Sequence, residues 1–353
     1  MWRNLMGLMV VMACNTAVAE GQLREYWITA EKVVWDYAPH GKNLMHPEQG
    51  MDVWGEQTKY VKYRYIEYSD ASYSTRVEQP EWMGILGPQI RAEEGDTIKV
   101  HFYNKADKPL SMHPHGVHYD KKSEGAGMKG PGAMVMPNKK YTYTWVADTT
   151  SAPGPVDPSS IIWLYHSHVD SVAEIYDGLI GSIVITKKGM ARSVGDPRPK
   201  DVDHEFTAMF MVFDENGRER VPGTTKADRH ENHHSERDMH RSGEDEVEAL
   251  EEANLKHGIN GYIFSNLRGF VANKESKVRW YLLGMGTEVD LHTAHWHGET
   301  VLESGRRTDV VELLPASMKT VDMMADNVGE WMFHCHVTDH ITAGMVTTWE
   351  VLP

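Results

Sequence analysis

Residues 95–105 read GDTIKVHFYNK and residues 276–286 read SKVRWYLLGMG. Ile98, Val100 and Phe102 alternate along the first run, as Val278, Trp280 and Leu282 do along the second. Successive side chains of a strand point to opposite faces, so each run predicts a β-strand with one buried face. Similar short runs rich in Val, Ile, Tyr and Trp, bounded by Gly, Pro, Asn and Asp, recur along the chain and predict an antiparallel, all-β protein. A group of histidines follows each run closely. HPHG at 113–116 and YHSH at 165–168 follow the first, and HTAHWHG at 292–298 and FHCH at 333–336 follow the second. The chain thus repeats itself once, and two similar β-sandwich domains are the simplest account. They are expected over 24–190 and 203–353, joined through KKGMARSVGDPRPKDVD at 187–203, where Gly, Pro and charge replace the strand pattern.

A chain of 353 residues is long enough for two domains with their own cores. Its formal charge of -15, with 51 acidic against 36 basic residues, argues against a nucleic-acid partner. The opening MWRNLMGLMVVMACNTAVAE has Arg3, a short apolar run and Ala17-Val18-Ala19, the pattern of a secretory leader over residues 1–19. The expected location is therefore outside the cytoplasm, periplasmic or secreted. The alternative is a lipoprotein attached at Cys14. No apolar run is long enough for a membrane span. The segment DRHENHHSERDMHRSGEDEVEALEEANLKHGING at 228–261 departs from the strand pattern and reads as a solvated loop followed by a short helix. Its histidines, His230, His233, His234 and His240, offer metal collection as the alternative reading.

HCHVTDHITAGM at 334–345 holds Cys335, the only cysteine besides Cys14. With Cys14 inside the leader no intrachain disulfide survives processing, which leaves a buried thiol, a nucleophile or a metal ligand. On a strand His334 and His336 share one face and Cys335 takes the other, so the motif can serve two sites. His340 and Met345 follow at intervals of five. With His292 they complete two imidazoles, a thiolate and a weak thioether, the ligand set of a blue-copper electron-transfer centre. The other face belongs to a His-x-His pattern found four times: His113 and His115, His166 and His168, His295 and His297, His334 and His336. Eight neutral nitrogen donors suit a cluster of three coppers if the two repeats meet across an interface. Aligning the repeats sets Ser167 against Cys335, Val172 against His340, Asp177 against Met345 and Leu110 against His292. The first repeat therefore keeps its cluster histidines and lacks the blue-copper ligands.

These motifs resemble the multicopper oxidase family, and within it a two-domain, small-laccase-type form of the ceruloplasmin and hephaestin branch. LGPQIRAEEGDTIKVHFYNK, MHPHGVHYDKKSEG, DGLIGSIVI, HGINGYIFSNLRG and WYLLGMGTEVDLHTAHWHG carry the resemblance alongside the histidine motifs. It implies two cupredoxin-like Greek-key β-sandwich domains, a type 1 copper, and a type 2/type 3 cluster that reduces dioxygen to water. His113 and His295 would hold the type 2 copper, and the remaining six His-x-His residues the type 3 pair. Two domains per chain imply a homotrimer, with each cluster shared between the first domain of one subunit and the second of the next. Glu124, after HPHG, matches the branch's acidic proton relay; a solvated surface glutamate is the other reading. Glu252, His257 and Asp339 match the residues that hold iron(II) beside the type 1 copper, and a plain acidic helix face is the alternative for Glu252. The expected donor is iron(II), followed by phenols or aromatic amines, as for a laccase, and then by copper(I). A non-enzymatic copper carrier is the reading outside enzymology. A nitrite reductase carries its blue site in the first domain, where this chain has Ser167 and Val172.

Overall fold

The computed structural model describes residues 21–127, 130–221 and 249–353. The expected leader at 1–19 and histidine-rich loop at 228–247 lie outside the described residues. In the first unit, strands Leu23–Asp36 and Lys59–Tyr68 form an antiparallel hairpin. Thr97–Asn104 runs parallel to the first of them, and Lys140–Val146 and His118–Tyr119 complete a five-stranded sheet. A second sheet orders Ile90–Glu93, Ile180–Thr186, Ser160–His166 and His113–Pro114. Ile98, Val100 and Phe102 are fully buried between the sheets with Tyr143, Trp145, Ile183 and Ile185.

The second unit repeats this plan. His204–Asp214 and Leu255–Ile259 form the hairpin, Lys277–Gly284 runs parallel to the first of these, and Ser317–Met324 follows. The facing sheet orders Val271–Asn273, Val346–Leu352, Gly329–Cys335, His292–Trp296 and Val310–Leu313. Both units are cupredoxin-like β-sandwiches, and the described residues are all-β apart from short helical turns. Most strand pairs are antiparallel, as expected, but each of the four large sheets also contains one parallel pair. Alternation reports which face of a strand is buried and carries no information about its neighbour's direction, which is set where the chain crosses between sheets. Residues 187–203 contain a further small ladder, Ala191–Ser193 against Asp196–Pro199. Among the described residues no helix is long and apolar enough to cross a membrane.

A third apolar cluster fills the space between the sandwiches. Trp35, Tyr60, Ile85, Leu86, Ile162 and Leu164 meet Met209, Met211, Phe213, Phe264, Tyr281 and Leu283. Strand Lys277–Gly284 is therefore buried on both faces. Val278, Trp280 and Leu282 enter the sandwich core while Tyr281 and Leu283 enter the junction. Two buried cations cross the junction. Lys62 Nζ contacts the Glu215 carboxylate and donates to Tyr37 Oη at 2.8 Å and Tyr176 O at 2.6 Å. Burial pulls the Lys62 ammonium below the usual lysine value, and Glu215 opposes that pull. Arg279 Nη1 donates to Ser159 Oγ at 2.7 Å and Ser160 Oγ at 2.8 Å, while Nε and Nη2 grip Asp322 at 2.7 and 2.9 Å.

Removing one member of a buried ion pair strands the other. Glu215→Ala is expected to lower the unfolding free energy by about 3–5 kcal/mol, whereas a Lys62→Met, Glu215→Leu double variant recovers most of that loss. Equilibrium denaturation of the three chains checks both statements.

Candidate metal centres

The four His-x-His segments all bury their middle residue. Pro114, Ser167, Trp296 and Cys335 point into the sandwiches, and the flanking imidazoles gather on the other side. In the second unit Ala294 pairs with Cys335, His295 with His334 and Trp296 with Phe333. Residues paired across an antiparallel ladder share a face, so His292 falls on the sulfur side and His295 and His297 on the side of His334.

On the sulfur side His292 Nδ1 lies 3.9 Å and His340 Nδ1 3.6 Å from Cys335 Sγ, and the two nitrogens lie 3.1 Å apart. His340 is delivered by the helical turn Thr338–Thr342. The chain then returns through Gly344 at φ +105, where a Cβ would meet the Phe264 ring at 2.7 Å. Met345 is fully buried in the same core cluster as Cys335, and its carbonyl accepts from Cys335 N at 3.0 Å. Burial raises the Cys335 thiol, but hydrogen bonding to His292, His340 and the backbone outweighs it and brings the pKa to about 6. Sequence reasoning missed Asp290. Fully buried, it accepts from Val212 N at 2.7 Å and Thr287 N at 2.8 Å and holds His292 Nε2 at 3.1 Å, which turns Nδ1 towards the sulfur. Burial lowers the His292 pKa, yet Asp290 and the thiol leave it raised. Gly286, at φ +118, makes room for this carboxylate, since a Cβ there would sit 2.0 Å from Asp290 Oδ2. The Asp290-x-His292 spacing was the available signal.

The other eight histidines form two groups of four. In the first, the His113 ring lies 5.2 Å from His115, 5.5 Å from His166 and 5.1 Å from His168, with His115 Nε2 and His166 Nε2 at 3.2 Å. In the second, His295 lies 4.9, 5.0 and 5.1 Å from His297, His334 and His336 by ring centroids, with His297 Nε2 and His334 Nε2 at 3.0 Å. The His113, His166 and His334 Nδ1 atoms are tied to the carbonyls of Glu124, Ser167 and Cys335 at 2.6, 2.8 and 2.7 Å, which frees Nε2 of each ring. Burial, reinforced by neighbouring imidazoles, depresses His115 to about 4, His166 to about 3 and His334 to about 4. These three rings are thereby held neutral at pH 7. Among the described residues no ring of one group packs against a ring of the other.

Where the first repeat lacks the sulfur centre, hydrogen bonds and ion pairs take its place. Ser167 Oγ accepts from Ser111 N at 3.0 Å, and Asp177, opposite Met345, pairs with Lys108 and, at 2.7 Å, with Arg218. Val172, opposite His340, is exposed beside a cleft that also borders His115 and His166.

The remaining expected residues separate. Glu124 sits beside His113 through its carbonyl, while its side chain pairs with Lys121. The His257 ring lies 5.3 Å from His340. Burial and His340 depress the His257 pKa to about 4. Glu252 Oε1 accepts from Trp54 Nε1 at 3.2 Å, and the Trp54 ring meets His257 edge-on at 6.3 Å. Asp339 is exposed on the turn that carries His340, and no hydrogen bond joins its carboxylate to the other two.

These donors fit copper. A low-pKa thiol between two buried imidazoles suits a soft, redox-active ion, and neutral imidazole groups suit first-row transition metals. Fold and donors together define a cupredoxin-type copper protein. The chain belongs to the multicopper oxidase family, copper-dependent oxidoreductases that use oxygen as acceptor: family models described as "Multicopper oxidase" match residues 67–189 and 231–353. It is 36% identical to "Ferroxidase HEPHL1" of Mus musculus, 35% to hephaestin of Homo sapiens and 38% to ceruloplasmin of Mus musculus. These similarities cover 93%, 98% and 94% of the chain, which spans only 29%, 31% and 31% of those relatives. Among solved structures, the blue copper oxidase from Nitrosomonas europaea aligns with a TM-score of 0.58 at 18% identity, over 94% of this chain and 86% of that one; this shows the shared fold.

The depressed histidines make a prediction for chelator-stripped protein. Between pH 6.5 and about 3 the unfolded chain takes up protons that His115, His166 and His334 refuse, so stability falls as pH falls through that window. Thermal melts across it are expected to show the decline, and a His166→Ala, His334→Ala variant to show a shallower one.

Proposed function

We propose that this chain oxidises iron(II) at the Cys335 side and reduces dioxygen to water at the histidine side. The observation that supports the reading is the alternation of His334, Cys335 and His336: the sulfur faces His292 and His340, while its two covalent neighbours lie beside His295. His292, Cys335 and His340, with Met345, would hold the type 1 copper. His113 and His295 would hold the type 2 copper, and His115, His166, His168, His297, His334 and His336 the type 3 pair. Bound copper supplies a one-electron acceptor beside the donor and a site where four electrons and four protons turn one dioxygen into two waters.

The protein's own groups supply the rest. Asp290 orients His292, and the His334 ring, hydrogen-bonded to the Cys335 carbonyl at 2.7 Å, adds a second link to the peptide bond between the centres. Glu124, whose carbonyl fixes His113, is assigned the proton relay. Glu252, His257 and Asp339 are assigned to iron(II). Carboxylates bind iron(III) more tightly than iron(II), which makes the bound donor easier to oxidise. The similarity to Ferroxidase HEPHL1 supports this assignment.

The domains are assigned to 24–190 and 203–353, and the assembly to a homotrimer in which the two groups of four histidines meet between subunits. Exposed apolar residues support such contacts: Val172 beside the first group, and Leu291 and Leu314 along the second unit's histidine strand and its neighbour. A second reading rests on one observation. A cleft of about 310 Å³ lined by Met45, Met51, Trp54, Phe264, Ile341 and Thr342 adjoins the turn that carries His340, and it suits an aromatic donor or copper(I).

Oxygen uptake by copper-loaded protein with iron(II), a phenol and copper(I) in parallel separates these donors. Iron(II) is expected to be preferred, and a Glu252→Ala, His257→Ala variant to lose about 10–100-fold in iron turnover while phenol oxidation is kept. Equal loss of both, or preference for phenol, sinks the iron assignment. Metal analysis of Cys335→Ser is expected to show one copper fewer per chain and no blue absorption. Unchanged copper content would remove Cys335 from the ligands, and copper binding without any oxygen uptake by the parent protein would leave a carrier.

A further inference from the structure

The chain between the first two strands, residues 37–58, leaves the first sandwich and lies across the second. Leu44 N donates to Phe264 O at 3.0 Å, Asn266 Nδ2 donates to Lys42 O at 3.1 Å, and His40 N donates to Asn266 Oδ1 at 3.1 Å. Trp54, near the end of this loop, is fixed twice. Its indole donates to Glu252 Oε1 at 3.2 Å, and its carbonyl accepts from the buried Lys256 Nζ at 2.8 Å. Lys256 also bonds Ala253 O, so the loop and the 252–257 segment are locked together. Glu252's other oxygen makes no hydrogen bond among the described residues.

One side of the indole meets His257, which packs on His340. The indole also lines the 310 Å³ cleft with Phe264, Ile341 and Thr342, and the lining of that cleft includes none of Glu252, His257 or His340. Trp54 thus borders both the cleft and His257.

We propose that Trp54 is a positioning residue that decides which donor reaches this centre. Its N–H holds one oxygen of Glu252 and leaves the other for a small cation. Its ring closes the cleft off from His257 and His340, so a planar phenol entering there stops short of the imidazole edge. A residue of the first domain thereby sets the selectivity of a site in the second. The inference rests on the assignment of Glu252 and His257 to iron(II), and it adds a residue that holds no metal.

Trp54→Phe removes the N–H and keeps the wall, whereas Trp54→Ala removes both; Trp54→Leu serves if the alanine chain loses its blue absorption. In copper-loaded full-length protein, both main variants are expected to raise KM for iron(II) about tenfold with little change in kcat, as loss of a hydrogen bond to a carboxylate does. Calorimetric titration of zinc(II), with a Glu252→Gln chain as baseline, is expected to weaken by a similar factor. Only the alanine variant is expected to raise kcat/KM for 2,6-dimethoxyphenol, by about tenfold or more. An unchanged iron KM in Trp54→Phe, or unchanged phenol oxidation in the variant with the ring removed, overturns the proposal. If Glu252→Gln itself leaves the iron KM unchanged, the iron assignment fails and takes this inference with it. If Glu252→Gln raises KM and Trp54→Phe does not, the role of Trp54 alone fails.

Discussion

A β-strand sends neighbouring side chains to opposite faces, and everything at these centres depends on that two-residue period. It lets Cys335 lie in a dry core while His334 and His336, one peptide bond away on either side, reach the other face. Four segments obey the same rule with four different middle residues: proline, serine, tryptophan and cysteine. The middle position is free to pack, and at Cys335 it carries the thiol that faces His292 and His340. A one-residue slip in strand Gly329–Cys335 would put the sulfur among the imidazoles and dismantle both sites together.

The packing between the sandwiches is the second constraint. Strand Lys277–Gly284 has no solvent face, because one row of side chains fills its own core and the other fills the junction. Arg279 and Lys62 are buried there with partners drawn from both units, an arrangement that stabilises one relative placement of the two bodies and penalises others. With that placement fixed, a loop rooted in the first unit can sit over the second unit's histidines with defined geometry.

The sequence made the periodic and chemical parts legible. Ile98, Val100, Phe102, Val278, Trp280 and Leu282 announced their buried faces, and the histidine spacings announced which rings would gather. His292, Cys335 and His340 could be grouped because their chemistry is distinctive and two of them lie within six residues. Asp290 was missed although it lies two residues from His292, since that spacing alone does not reveal that Val212 and Thr287 donate to its carboxylate. Trp54 was beyond reach because almost two hundred residues separate it from Glu252. The parallel pairs and the buried Lys62 and Arg279 were hidden for the same reason: direction, and the neutralising partner of a buried charge, are tertiary facts. Alternation along 277–284 reads as one wet face, yet that face is dry because a second body covers it.

The replacement of the sulfur site in the first repeat by Ser167, Ser111 and Asp177 sets an arithmetic for the proposed assembly. In the proposed assembly each chain would bring one sulfur centre and two halves of a histidine cluster. A ring closed through those halves contains as many complete clusters as sulfur centres, whatever its size, so every cluster has one port and none is shared. An open string of the same chains always has one port too many: a dimer has two ports and one complete cluster. Under the proposed function, ring closure would match the supply of electrons to the places where they are consumed, and a chain with a sulfur centre in both repeats would lose that match.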